Sequence, residues 1–290
     1  TERDWSSDVC SSDLSNKTFN LNFFCHTPPP PSAEAEARWK TRLRSYYVEL
    51  GLDPDMPVPA AVRHPFDAAT CALVEDTRPK VVSFHFGLPD KALLDRVKAT
   101  GAIVLSSATT VAEACWLEAH GADAIIAQGY EAGGHRGMFL TADLATQVGT
   151  MALVPQVVDA VKIPVIAAGG IGDARGIVAA LALGASAVQL GTAYLFCPEA
   201  KVAPLHRAAL AAGRDDATAL TNVFTGRPAR GYMNRIMREA GPVSADAPPF
   251  PLASGALTPL KAAAEANGSS DFTSLWSGQA SALEIGRAHV

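Results

Sequence analysis

The chain has no CxxC pair. Its five cysteines, Cys10, Cys25, Cys71, Cys115 and Cys197, are scattered, which argues against a zinc site or a disulfide framework and for reduced thiols. It has no run of Lys and Arg, and 24 basic against 29 acidic residues leave a net charge of −5. A nucleic-acid partner is therefore not expected. No apolar stretch reaches the ~18 residues that span a membrane, and no basic-then-apolar leader opens the chain. Neither the dinucleotide fingerprint GxGxxG nor the triphosphate loop GxxxxGK[ST] is present. Charged residues are scarce at 18%, against 48% apolar in 290 residues. That balance excludes a disordered chain and supplies one large domain with a sizeable core. A soluble, cytoplasmic globular protein is expected.

What is present is a regular alternation of strands and helices. Phe19–Phe24, Lys80–His85, Ala102–Ser106, Asp123–Gln128, Pro164–Ala168 and Ala187–Leu190 read as strands. Helices are predicted over Ser32–Leu50, Phe66–Glu75, Asp90–Thr100, Thr109–His120, within Gln147–Val161 and over Asp173–Leu183. Unbroken apolar strands that alternate with helices predict a parallel sheet covered by helices. The expected class is α/β, a (β/α)₈ TIM barrel with its first two strands missing before Phe19. The alternative is a doubly wound open sheet. A barrel over residues 15–220 is expected to carry a C-terminal helical extension over 221–283. Residues 1–14, TERDWSSDVCSSDL, show neither helix nor strand period, and both they and residues 284–290, EIGRAHV, resemble translated sequencing-adapter reads. They are read as foreign tails, the first disordered, and kept out of fold reasoning.

The chemistry-bearing segment is AQGYEAGGHRG, Ala127–Gly137, at the end of the strand Asp123–Ala127. Glycines let backbone approach a ligand closely, and His135 among them is a candidate proton acceptor or donor near neutral pH. Gln128 offers an amide at the same strand end, either as a rim residue or toward a ring edge. Two further glycine segments follow at strand ends: AAGGI with Gly169 and Gly170, and QLGT with Gln189, Leu190, Gly191 and Thr192. Such strand-to-helix turns present N–H groups and a helix dipole to a phosphate. In barrels this phosphate site is built from the last two strand loops. A phosphorylated cofactor such as FMN suits a site without lysine. His26 and His85 also lie near strand ends and are weaker candidates. Trp276 is expected to pack in the core from a C-terminal helix. Arg227 and Arg230 are expected in solvated or capping roles, with an anionic ligand as the alternative.

The motifs AQGYEAGGHRG, AAGGIGD, QLGTAYLFCPE, FTGRPARG and LWSGQA together resemble the nitronate monooxygenases, class I branch, from Lys17 to about Leu283. The resemblance implies an FMN-bearing (β/α)₈ barrel that oxidises alkyl nitronates with O₂, needs no metal, and yields a carbonyl compound and nitrite. Propionate-3-nitronate is the implied type of substrate, and a monomer or homodimer the expected state. His135 matches the family's catalytic histidine. Asn22, Gln128 and Gly133 match flavin contacts, Gly170 a phosphate contact beside Gly169, and Gln189, Leu190, Gly191 and Thr192 the second phosphate loop. The alternatives are an NAD(P)H-dependent quinone or enoyl-thioester reductase on the same barrel, or an inactive truncated fragment.

Overall fold

The computed structural model describes residues 18–30, 32–214 and 216–283. The tails read as foreign lie outside the described residues. Nine strands are numbered here in chain order. Six of them form one parallel sheet: β1 (Asn20–Phe24), β2 (Val81–His85), β3 (Ile103–Ala108), β4 (Ala124–Gln128), β6 (Val165–Ala168) and β7 (Ala187–Gln189). These are the six strands read from the apolar runs. Each pairs in parallel with the next. That unreversed succession is the wall of a (β/α) barrel. A doubly wound sheet would reverse its order at a switch point, so that alternative is set aside.

The helices lie where the 3.6-residue pattern predicts them: α1 (Ala33–Glu49), α2 (Ala68–Thr77), α3 (Lys91–Ala99), α4 (Val111–Ala119), α5 (Thr150–Ala160) and α6 (Ala174–Ala182). Ser32, Asp67, Asp90, Thr110 and Asp173 each accept an N–H of the first turn that would otherwise be unpaired. Each such cap contributes about 1 kcal/mol.

Strand alternation divides the side chains between two surroundings. On β4, Ile125 and Ala127 pack outward with Leu117 of α4 and Leu153, Val154 and Val157 of α5. Ile126 and Gln128 point to the other side, into a cavity. On β2, Val82 and Phe84 join Leu94 and Val97 of α3 in the core, while Ser83 and His85 face the cavity. Asn20, Asn22 and Phe24 of β1 do the same.

The C-terminal third is more regular than its sequence suggests. The pattern over Thr221–Ser281 reads as irregular, whereas the structure builds a second, antiparallel sheet in the order β5–β9–β8 from β5 (Gly134–His135), β8 (Thr218–Thr221) and β9 (Ala229–Tyr232). It adds α7 (Pro204–Ala212), α8 (Arg235–Ala240) and α9 (Ala253–Ala266). Helix α9 packs on α1, where Trp39 Nε1 donates to the Ala253 carbonyl at 3.0 Å and Tyr47 donates to Ala256 at 2.5 Å. Trp39, Leu43, Tyr47, Ile236, Leu257 and Leu260 share one buried cluster. Among the described residues no helix is long and apolar enough to cross a membrane.

Candidate active site

The carboxyl ends of the parallel strands converge on a cavity of about 500 Å³, within the range of cofactor sites, roughly 300–1,000 Å³. Ladder register sets its rim. Gln128 lies beside Ala168, and Ala168 beside Gln189, so the β4, β6 and β7 loops open side by side. The ten residues assigned to the site from the sequence all line this cavity, as do His85 and Trp276, whereas His26, Arg227 and Arg230 do not. His135, Gln128 and Gly133 come from the β4 loop, and Gly169 and Gly170 from the β6 loop. Gln189, Leu190, Gly191 and Thr192 come from the β7 end, and Asn22 from β1.

His135 is held by both sheets. As part of β5 it pairs with Ala229 of β9. Its carbonyl accepts two hydrogen bonds from the barrel, one from Gln128 Nε2 at 2.9 Å and one from His85 Nε2 at 3.1 Å. The Gln128 side-chain oxygen Oε1 accepts the Gly137 N–H at 2.7 Å. Gln128 therefore clamps the histidine loop from both ends of its amide while also lining the cavity. Below it, the fully buried Arg136 donates to the carbonyls of Gly129 and Gln128 and to Gln147. Three fixed acceptors explain a guanidinium there without a carboxylate partner.

Rings crowd His135. Phe24, Phe86, Phe250 and Trp276 lie with centroids 5.4–6.1 Å away. Arg227 stacks on Phe86, its guanidinium carbon 3.8 Å from the ring centroid, and donates to the Met138 carbonyl. Burial, and then the cost of adding a charge beside His85, Arg227, Arg63 and His26, hold the His135 pKa down to about 3. Burial likewise brings His85 down to about 4. Both rings are neutral at pH 7.

The phosphate expectation can be tested against the backbone. Gly169 and Gly170 have φ of +106° and +70°, a region closed to most side chains. A Cβ at Gly169 would stand 2.9 Å from the Ala132 nitrogen. Among the described residues the amides of Gly170 and Gly191 meet no protein acceptor. Thr192 Oγ1 accepts the Gly278 N–H at 2.9 Å, which leaves its own proton free to donate. At β1, Ser83 donates to the Asn22 carbonyl oxygen at 2.8 Å, so the Asn22 NH₂ is left facing the cavity. Unpaired backbone donors at Gly170 and Gly191, a hydroxyl at Thr192 and the Asn22 amide on one cavity wall fit a phosphate-bearing flavin cofactor.

Gly133 answers to a different contact. A Cβ there would meet the Gly278 nitrogen at 2.5 Å, so the glycine admits the C-terminal segment 276–278. Trp276 belongs to that segment. It bridges Gly231 of β9 and lines the cavity, rather than packing from a helix. His206 of α7 donates to its carbonyl at 2.9 Å. Arg230 is buried and donates to Tyr130 and Thr218.

Sequence reading missed Ser83, Ser107 and Thr225, and held Ser277 and Gly278 only as part of the LWSGQA motif. Ser83 and His85 stand two apart in an apolar strand, and that polar pair on one face was a usable signal. Thr225, whose hydroxyl lies 2.9 Å from His135 Nε2, left none, because it comes from a segment 90 residues away. Among the described residues no cluster of His, Cys, Asp and Glu could hold a metal ion.

A family model described as nitronate monooxygenase matches residues 12–286. A nitronate monooxygenase of Pseudomonas aeruginosa is 42% identical over 93% of this chain and 78% of its own length. One of Paraburkholderia phytofirmans is 41% identical over 93% and 74%. Among solved structures, a nitroalkane oxidase from Streptomyces ansochromogenes superposes with a TM-score of 0.83 at 37% identity, covering 95% of this chain and 79% of that one. A FabK variant from Thermotoga maritima gives 0.63 at 27%, covering 94% and 71%.

Two outcomes follow from this geometry. Acid unfolds the chain partly through its histidines. Between about pH 6.5 and the depressed native values of His85 and His135, the unfolded chain binds protons that the folded chain refuses. Stability therefore falls as pH drops through that window, and urea midpoints measured from pH 7 to 4 should decline more steeply in the parent than in His85→Gln. Gly191→Ala adds a methyl that meets nothing within 4 Å. Its melting temperature should stay at the parent's value, while FMN binding measured by fluorescence titration should weaken about tenfold or more, which is ~1.4 kcal/mol.

Proposed function

The chain belongs to the nitronate monooxygenase family of flavin-dependent oxidoreductases, and from that premise we propose that it oxidises alkyl nitronates with O₂ by means of FMN, giving a carbonyl compound and nitrite. The observation that carries this reading is the placement of His135. It stands neutral, among aromatic rings, on the wall of the same cavity that presents the unpaired amides of Gly170 and Gly191. FMN, when bound, supplies the redox chemistry between nitronate and O₂.

The protein's own residues do the rest. Gly170, Gly191 and Thr192 would hold the phosphate, with Gly169 and Leu190 shaping the turns that present them. Asn22 would meet the ring edge with its NH₂, and Gln128 and Gln189 flank it on the rim. Phe24, Phe250 and Trp276 crowd the space beside His135 and keep water from it. The positive field of Arg227 behind Phe86 favours an anionic nitronate such as propionate-3-nitronate. His135 would take the α-proton onto its ring nitrogen when a neutral nitroalkane enters, and the N–H so formed would hydrogen-bond an oxygen of the resulting nitronate. The reading requires no metal ion and assumes a soluble, cytoplasmic monomer or homodimer.

His135→Asn tests the role of the ring. It should retain flavin, seen in the visible spectrum. Oxygen consumption with nitroethane should fall by roughly 100-fold or more, and with ethylnitronate much less. Equal loss on both substrates would reject proton abstraction in favour of positioning. Oxidation of NADH by the flavin-loaded enzyme without any nitronate would overturn the monooxygenase reading and favour a reductase on the same barrel.

A further inference from the structure

The histidines of this chain differ in one respect. His85, His26 and His206 each present Nε2 to a backbone carbonyl, and a carbonyl can only accept. Each therefore carries its proton on Nε2, and the Ser107 hydroxyl donates to His85 Nδ1 at 3.0 Å. His135 alone of the four directs Nε2 to a hydroxyl, that of Thr225 at 2.9 Å. A hydroxyl can donate or accept, so the His135 tautomer depends on what else Thr225 bonds.

Thr225 has two further neighbours, both on the backbone of Arg227. Its hydroxyl lies 3.3 Å from the Arg227 carbonyl, which accepts, and 3.4 Å from the Arg227 amide, which donates. The hydroxyl has one proton and two lone pairs. With the proton on the Arg227 carbonyl and one lone pair on the Arg227 amide, the remaining lone pair faces His135 Nε2. That nitrogen must then bear the hydrogen, and Nδ1 bears the lone pair. His135 lines the cavity, and among the described residues Nδ1 has no protein partner.

We propose that Thr225 is a positioning residue that holds His135 as the Nε2–H tautomer and leaves the Nδ1 lone pair open to the cavity as the proton acceptor. The arrangement rests on the functional reading above for its use, though not for its existence. Asp or Glu commonly orients a catalytic histidine in this way. Here the titratable and charged groups around His135 are His85 on β2, His26 after β1, and Arg63 and Arg227 in loops. None is a carboxylate, so a neutral hydroxyl sets the tautomer without raising the ring's charge. The turn Thr225–Arg227 also explains why the segment before β9 bears on the chemistry: it carries the tautomer-setting hydroxyl and the cation behind Phe86 together.

Nitrogen-15 NMR of the full chain labelled at histidine tests this directly, with His135→Asn to identify the His135 signals. At pH 7.5 the parent should show His135 protonated at Nε2. Thr225→Val, which keeps the shape and removes the hydroxyl, should give a mixed or Nδ1–H pattern, and Thr225→Ser should restore the parent pattern. A parent His135 protonated at Nδ1 overturns the proposal, and so does an unchanged pattern in Thr225→Val. In the loaded enzyme, Thr225→Val should slow nitroethane turnover about tenfold or more and ethylnitronate turnover less than about threefold, with Thr225→Ser near the parent. Should the parent turn over neither substrate while the NMR pattern is as expected, the functional reading fails and the tautomer assignment stands.

Discussion

The structure depends on how one short backbone stretch, Gly134–His135, is shared between two sheets. It pairs with β9 on one side, and on the other its carbonyl receives Gln128 and His85 from the parallel strands. Neither sheet alone would fix the ring. The parallel strands supply a rigid wall, because alternate residues of β2 and β4 are anchored in the outer core. The antiparallel sheet brings β9 and the Thr225 turn from about a hundred residues away. Burial at their junction keeps His135 neutral, which is the state a proton acceptor requires.

The same junction accounts for the glycines. Some serve a ligand and others serve packing, and space around each tells them apart. Gly191 faces open space, whereas Gly133 and Gly231 would place a Cβ within 2.6 Å of the segment 275–278. That segment closes the site through Trp276 and hands the Gly278 amide to Thr192. The cavity is thus a joint product of the barrel rim and the C-terminal third, and residues on both sides of position 220 line it.

Much of this was legible in the chain. The six parallel strands announce themselves as short, largely apolar runs that alternate with helical patterns, β4 being buried along its whole length. The glycine turns and His135 follow them at fixed offsets. The second sheet was not legible: β5 has two residues, and β9 (Ala229–Tyr232) buries an arginine in its middle, so neither shows a strand period. Helix α9 holds Pro259 inside it, which reads as a break. Trp276 looked like helical core for want of any signal that its neighbours are extended. Thr225 and the two-ended amide clamp of Gln128 depend on contacts between distant segments, which no local pattern encodes.

The central claim is that the strand-end cavity of this chain is a flavin mononucleotide site. The most direct test is the visible absorption spectrum of the purified chain after addition of FMN and removal of the excess. The account predicts a retained flavin spectrum, shifted from that of free FMN, at close to one flavin per chain. A well-folded chain that emerges colourless would contradict it.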